Sequence, residues 1–316
     1  MTTKVIIDTD PGVDDAIALF TAMASQDIDI LGVTAVNGNV SADKAAANAR
    51  RICEYCWHSG INVYQGCDKP LKRTVLHAEW VHGKDGLAGA DLPPPSEPPS
   101  SIPAVDFIID TLKEANGKEV TLVALGPMTN IATAFLREPD IVRKVREIVV
   151  MGGGFSDQGP RGNATEWAEF NVLADPDAAA AVFNTAERVT VVPMEVGMQV
   201  VADKQYVRKL RELRTRTAGM AADLIDAVAT SIAKKHPEQA EKGVSLYDPT
   251  AMTCLLKSGL FSGAYGTVLV NTDPDDKKFG MTTFLKGDER RNCLVIHKAD
   301  GPAVLDFIAE SLAALP

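Results

Sequence analysis

The amino-acid sequence predicts an α/β fold in which an open, mainly parallel sheet carries helices on both faces. Short apolar runs, often β-branched and continuous rather than alternating, fall at 5–7, 30–36, 120–125, 147–151, 189–193 and 268–270. Unbroken runs of this kind suit strands buried on both faces. Ala-rich stretches with helical periodicity separate them, and strand–helix alternation is the pattern of a doubly wound, Rossmann-like sheet. The apolar fraction of 46% over 316 residues is ample for a sizeable core. With no internal repeat, 1–316 reads as one domain.

Val5-Ile6-Ile7 opens the first strand, and Pro11-Gly12 turns the chain into an amphipathic helix over 14–24. The second strand, 30–36, is followed by a helix over 41–57. A helix over 103–115 precedes strand 120–125, and one over 128–136 precedes strand 147–151. Helix 176–184 leads to strand 189–193. Helices over 203–213, 218–235 and 249–257, the run 268–270 and a last helix over 302–313 complete the chain. Asp175-Pro176 and Asp248-Pro249 each place a cap residue before a proline at the first helical position. The proline-rich stretch 92–103 is stiff and reads as a surface connection inside the domain. Just upstream, Gly83 and Gly86 would permit a mobile lid over 80–87, whose plain reading is an exposed loop.

Composition narrows the partners. A net charge of −10 argues against a nucleic-acid polymer or an acidic membrane surface, since phosphate binding needs clustered Lys and Arg. A neutral sugar or base is compatible with it. No apolar run approaches a membrane span. Met1-Thr2-Thr3-Lys4 runs straight into the first strand, as expected of a cytoplasmic chain without a signal peptide. The five cysteines are odd in number and scattered, which fits reduced thiols. Cys53 and Cys56 lie in a helical pattern with no second pair and read as packing residues.

The chemistry concentrates at the end of the first strand. Asp8, Asp10, Asp14 and Asp15 place four carboxylates within eight residues. Such crowding is costly unless a hard cation sits among the oxygens; a solvated turn with acids at a helix N-terminus is the plainer alternative. Asp10, Asn37, Leu125 and Met151 each stand where an apolar run stops, and in a parallel sheet those ends share one ligand-binding edge. An EF-hand loop starting at Asp8 fails, because its sixth and twelfth positions hold Val13 and Leu19 instead of Gly and Glu. An aspartyl-nucleophile phosphatase could use Asp8 and Asp10, but Pro11 to Asp15 departs from that family's pattern.

Six segments in order resemble the nucleoside hydrolase family, the inosine-uridine preferring N-ribohydrolases. They are Asp8-Thr9-Asp10-Pro11-Gly12-Val13-Asp14-Asp15-Ala16, Asn37-Gly38-Asn39, Ala124-Leu125-Gly126-Pro127-Met128-Thr129-Asn130, Met151-Gly152-Gly153-Gly154, Glu169-Phe170-Asn171 with Asp175-Pro176, and Asp248-Pro249. The resemblance implies calcium-dependent hydrolysis of the N-glycosidic bond of ribonucleosides by a homodimer or homotetramer. It implies Ca²⁺ held by Asp10, Asp15, the carbonyl of Leu125 and Asp248, with Asp10 as general base toward a metal-bound water. Asp14, Asn39, Met151, Asn163, Glu169 and Asn171 are expected around the ribose, with Asn39 also near the attacking water. Asp8 is assigned mainly to structure.

Many relatives have His-Asp-Pro where this chain has Tyr247-Asp248-Pro249. A phenol is a poorer acid than an imidazolium at neutral pH, although it can donate a hydrogen bond. Tyr247, His236 and His82 (the last through lid closure) are three candidates for helping the base depart, and purine or pyrimidine preference stays open with them. A ligand-binding relative without catalysis is the alternative that Tyr247 raises; the presence of every expected metal and ribose residue argues against it.

Overall fold

Strand β1 (Thr3–Thr9) is buried on both faces, with Val5 and Ile7 in one core and Ile6 in the other. The computed structural model describes residues 2–157, 159–234 and 237–316. Along the chain follow α1 (Val13–Met23), β2 (Ile28–Ala35), α2 (Ala42–Tyr55), β3 (Val63–Gln65), α3 (Glu79–His82), α4 (Ala104–Glu114), β4 (Val120–Ala124), α5 (Thr129–Arg137) and β5 (Val145–Met151). Next come α6 (Phe170–Ala174), α7 (Pro176–Thr185), β6 (Val189–Val192), α8 (Met194–Gly197), β7 (Val201–Ala202), α9 (Lys204–Glu212), α10 (Arg216–Ala233) and α11 (Pro237–Lys242). The chain ends with β8 (Val244–Ser245), α12 (Tyr247–Leu256), β9 (Phe261–Val270), β10 (Thr282–Lys286), β11 (Cys293–Ala299) and α13 (Gly301–Ala313).

Nine strands form one sheet in the order β10-β9-β11-β6-β5-β4-β1-β2-β3, while β7 and β8 make a separate antiparallel ribbon. From β3 to β11 every neighbouring pair is parallel. β9 runs antiparallel to both β11 and β10, so the sheet is mixed at that end. The strand order reverses between β1 and β4, because β2 and β3 lie on one side of β1 and the later strands on the other. Such a switch point opens a crevice at the C-terminal strand ends.

Helices cover both faces. One core gathers residues of α1, α2, α9, α10, α12 and α13, and the other gathers α4, α5 and α7. Alternate residues of β4 feed them in turn, Val123 into the first and Leu122 and Ala124 into the second. That double burial explains why these strands read as unbroken apolar runs.

The outer elements differ from expectation. β3, β10, β11 and the β7–β8 ribbon escape the sequence reading, and β9 begins well before 268. These strands are short or half-exposed, with polar residues such as His297, Lys298 and Lys286 on the open side. Asp175 caps α7 as expected, accepting the Ala178 N–H at 3.1 Å with Pro176 next in line. Asp248 does not cap α12. It lies inside the first turn behind Leu246, so its carboxylate is left for other partners. Residues 92–103 form a surface connection, tied to α2 where Arg51 donates to the Leu92 and Pro93 carbonyls. Cys53 and Cys56 are buried packing residues of the α2 segment. No helix among the described residues is long and apolar enough to cross a membrane.

Phe20 of α1 is fully buried and its ring lies 6.2 Å from that of Tyr55. Phe20→Ala is expected to lower the unfolding free energy by about 3–5 kcal/mol, seen as a lower urea midpoint with an unchanged slope.

Candidate active site

A cavity of about 1190 Å³ opens at the C-terminal ends of β1, β4 and β5. Asp14, Asn39, Leu125, Met151, Asn171 and Asp248 line its polar part. The chain leaves β1 through buried Asp10, turns at Pro11-Gly12 and enters α1 with Asp14 and Asp15 in its first turn.

Backbone room at two glycines holds Asp10 in place. A Cβ on Gly38 would overlap Oδ2 of Asp10, and one on Gly126 would overlap Oδ1. Oδ2 accepts the Asn39 N–H at 2.6 Å, while Oδ1 is buried with no hydrogen-bond partner. Asp15 is fully satisfied: Oδ1 accepts from the Thr9 hydroxyl, and Oδ2 from the Gly12 N–H at 2.9 Å and Asn39 Nδ2 at 3.2 Å. Asp14, Asp15 and Asp248 each bring one oxygen within 4.8 Å of the other two. Asp10 stands outside that triad, and its charge still reaches Asp248. Asp15 and Asp248 are buried, whereas Asp14 is half-buried at the cavity wall.

Like charges without solvent push these carboxyls upward. Burial raises Asp10 and Asp248 well above the usual range, and neighbouring aspartates add to it. Burial chiefly raises Asp15 as well, with Asp14 next to it. Asp14 rises to about 6 through burial, against the N–H groups of Tyr247 and Asp248 at the start of α12. Four crowded carboxyls, a buried oxygen with no donor and a nearby strand-end carbonyl form an all-oxygen set that suits a hard divalent cation.

Around the other wall, Glu169 is the N-cap of α6. It accepts the N–H groups of Gly153 (3.0 Å), Asn171 (2.8 Å) and Val172 (3.2 Å), and burial still pushes it up to about 7. Asn163 accepts the Phe170 N–H through Oδ1 at 2.9 Å, which leaves its NH₂ for a ligand. Asn171 has the opposite polarity, its NH₂ being taken up by the carbonyls of Leu125 and Met151. Asp8 lies below the cavity, accepting from Thr34 and Asn130, which agrees with a structural role.

Of the three leaving-group candidates, His82 and Tyr247 line the cavity and His236 lies outside the described residues. His82 ends α3, already buried against α1, so no lid movement is needed to bring it to the site. Its Nδ1 accepts the Val13 N–H at 3.1 Å, which places the proton of the neutral ring on Nε2. Burial lowers it to about 4, against the attraction of Asp15. Tyr247 packs on Gly197, where a Cβ would overlap the ring. Burial and the charges of Asp14 and Glu169 raise its phenol, keeping it a neutral donor.

The sequence reading passed over Thr9, the clearances at Gly38 and Gly126, and an aromatic wall. Trp80, 51% exposed, stands edge-on to Phe170 at 6.2 Å and both line the cavity. Trp80, three residues before Gly83, was the available signal.

A sequence profile described as inosine-uridine preferring nucleoside hydrolase matches residues 5–306. The chain belongs to the nucleoside hydrolase family. An inosine-uridine preferring nucleoside hydrolase of Leishmania major is 37% identical over 257 residues, covering 81% of this chain and 79% of the relative. A pyrimidine-specific ribonucleoside hydrolase of Shewanella woodyi is 35% identical over 316 residues, 99% of this chain and 98% of the other. A plant nucleoside hydrolase superposes with a TM-score of 0.90 at 29% identity over 99% of both chains. Nucleoside hydrolases cleave N-glycosidic bonds, and that reaction class is the one to which this chain belongs.

Two outcomes are expected of this nucleoside hydrolase site. Gly126→Ala should displace the Asp10 carboxylate and lower nucleoside hydrolysis at least about 100-fold, with an unchanged circular dichroism spectrum. His82 contributes stability that is full above its unfolded pKa, about 6.5. As pH falls from there toward its folded value of about 4, the unfolded chain takes up a proton that the folded one does not. Urea titrations at about pH 7 and about pH 5 should show a His82-dependent loss of about 2 kcal/mol, absent in His82→Gln.

Proposed function

We propose that the chain hydrolyses ribonucleosides to free base and ribose at this site, with a calcium ion held by the carboxylates of Asp10, Asp15 and Asp248 and the carbonyl of Leu125. The observation that carries the reading is the buried, donorless Oδ1 of Asp10 beside the acid triad. A bound calcium ion supplies charge neutralisation among the acids and makes water at the site more acidic.

Asp10 is the general base. Its clamp at Asn39 fixes its direction, and a bound cation would keep it ionised and ready to accept a proton. Asn39 has its NH₂ on Asp15 and the Asp10 carbonyl, so its own carbonyl is free to orient the attacking water. Asp14, half-buried at the wall, accepts from a ribose hydroxyl. Asn163 donates and Asn171 accepts, which matches hydroxyls that can do either. Met151 packs against the sugar. As the C–N bond stretches, the ribose gains oxocarbenium character, and the nearby carboxylates of Asp14 and Glu169 favour that charge. Tyr247 and Nε2–H of His82 offer neutral hydrogen bonds to the departing base, whose planar ring the Trp80–Phe170 wall accommodates.

Ribose release is expected from a panel of inosine, adenosine, guanosine, uridine and cytidine, and a chelator should abolish it until calcium is restored. Asp10→Asn should cost about 10²–10⁴-fold in kcat, and 2′-deoxynucleosides should be poor substrates. Release that persists unchanged in the chelator would remove the metal from the reading. Full activity in Asp10→Asn would remove the base.

A further inference from the structure

Asn171 performs a task that contact with the sugar alone does not require. Its Nδ2 donates to the Leu125 carbonyl at 2.7 Å and to the Met151 carbonyl at 3.2 Å, and lies 3.4 Å from the Met151 sulfur. Three acceptors around one atom fix the orientation of the amide: the NH₂ must face the backbone. Leu125 follows the last residue of β4 and Met151 is the last residue of β5. Asn171 therefore bridges the ends of two adjacent parallel strands, where the ladder no longer supplies donors.

On its other side residue Leu125 is anchored by its N–H, which donates to the Asp8 carbonyl at 2.8 Å. The residue is thus held on both sides, its nitrogen from β1 and its carbonyl, in the next peptide unit, from α6. Asn171 is itself fixed, because it is buried and its N–H donates to Glu169.

We infer that Asn171 is a positioning residue for the cation: its NH₂ occupies one lone pair of the Leu125 carbonyl and aims the other into the acid cluster. A carbonyl oxygen has two lone pairs, so the hydrogen bond and an ion can share it. Partners of this kind orient a ligand, and their removal typically costs 10–100-fold in metal affinity. The inference rests on the calcium site proposed above.

Calcium would be titrated calorimetrically into the metal-stripped protein, without nucleoside, for the wild type, Asn171→Ala and Asn163→Ala. Asn171→Ala is expected to bind calcium about tenfold or more weakly, and Asn163→Ala, which touches neither Leu125 nor the acids, within about twofold of the wild type. A merely structural Asn171 would lower the melting temperature of the stripped protein and leave calcium affinity in place, which would overturn the inference. Should Asn171→Ala fail to fold, Asn171→Leu keeps most of the volume without the donor and is read the same way. A wild type that takes up no calcium would overturn the site assignment itself, and this inference with it; weak binding shared by both variants would overturn this inference alone.

Discussion

The need to bury several carboxylates within a few ångströms of one another governs the architecture around the switch point. Asp10, Asp15 and Asp248 lie out of solvent, and each is raised by burial and by its acidic neighbours. A cluster of this kind persists only where donors meet most of its oxygens and a cation answers the rest. Thr9, Gly12 and Asn39 meet Asp15; Asn39 meets one oxygen of Asp10. The glycines at 38 and 126 exist in that role because any larger residue would occupy the same space as the carboxylate. Packing of α12 on α1 brings Asp248 to the acids from a distant part of the sequence.

Polarity around the cavity is set just as firmly. Among the described residues, the amides lining the cavity each have one end committed to the protein, Asn163 through its carbonyl and Asn171 and Asn39 through their NH₂ groups. Each therefore presents a single kind of hydrogen-bonding group to a ligand. A diol can satisfy both kinds at once, whereas an apolar group would strand them. Burial holds His82 neutral and raises the Tyr247 phenol, so both offer donors close to the acids without adding charge.

Much of this was legible in the sequence, for identifiable reasons. β4 and the C-terminal halves of β1, β2, β5 and β6 are buried on both faces, so their apolar runs are continuous and stand out. β3 has three residues, and β10 and β11 mix buried with exposed positions, so no pattern marks them. The acids announced themselves by crowding. Asp248 beside Pro249 looked like a cap, and only the placement of Leu246 ahead of the helix frees its carboxylate. The clearances at Gly38 and Gly126 depend on which strand ends meet, which a linear motif shows only as small residues. His82 looked like part of a moving loop, whereas a backbone N–H at Val13 fixes its ring against α1.

The position of Asp248 so late in the chain bears on synthesis. Domains begin to order from the N-terminus as they leave the ribosome. A nascent chain that has emerged only as far as β6 already carries Asp10, Asp14 and Asp15, but α12, which covers α1, has yet to be made. Until α12 arrives, Asp248 is missing from the cluster and the face of α1 that α12 covers has no partner. The fourth carboxylate is thus supplied by one of the last helices to be translated, so the full crowding of acids is deferred until most of the chain exists to stabilise it.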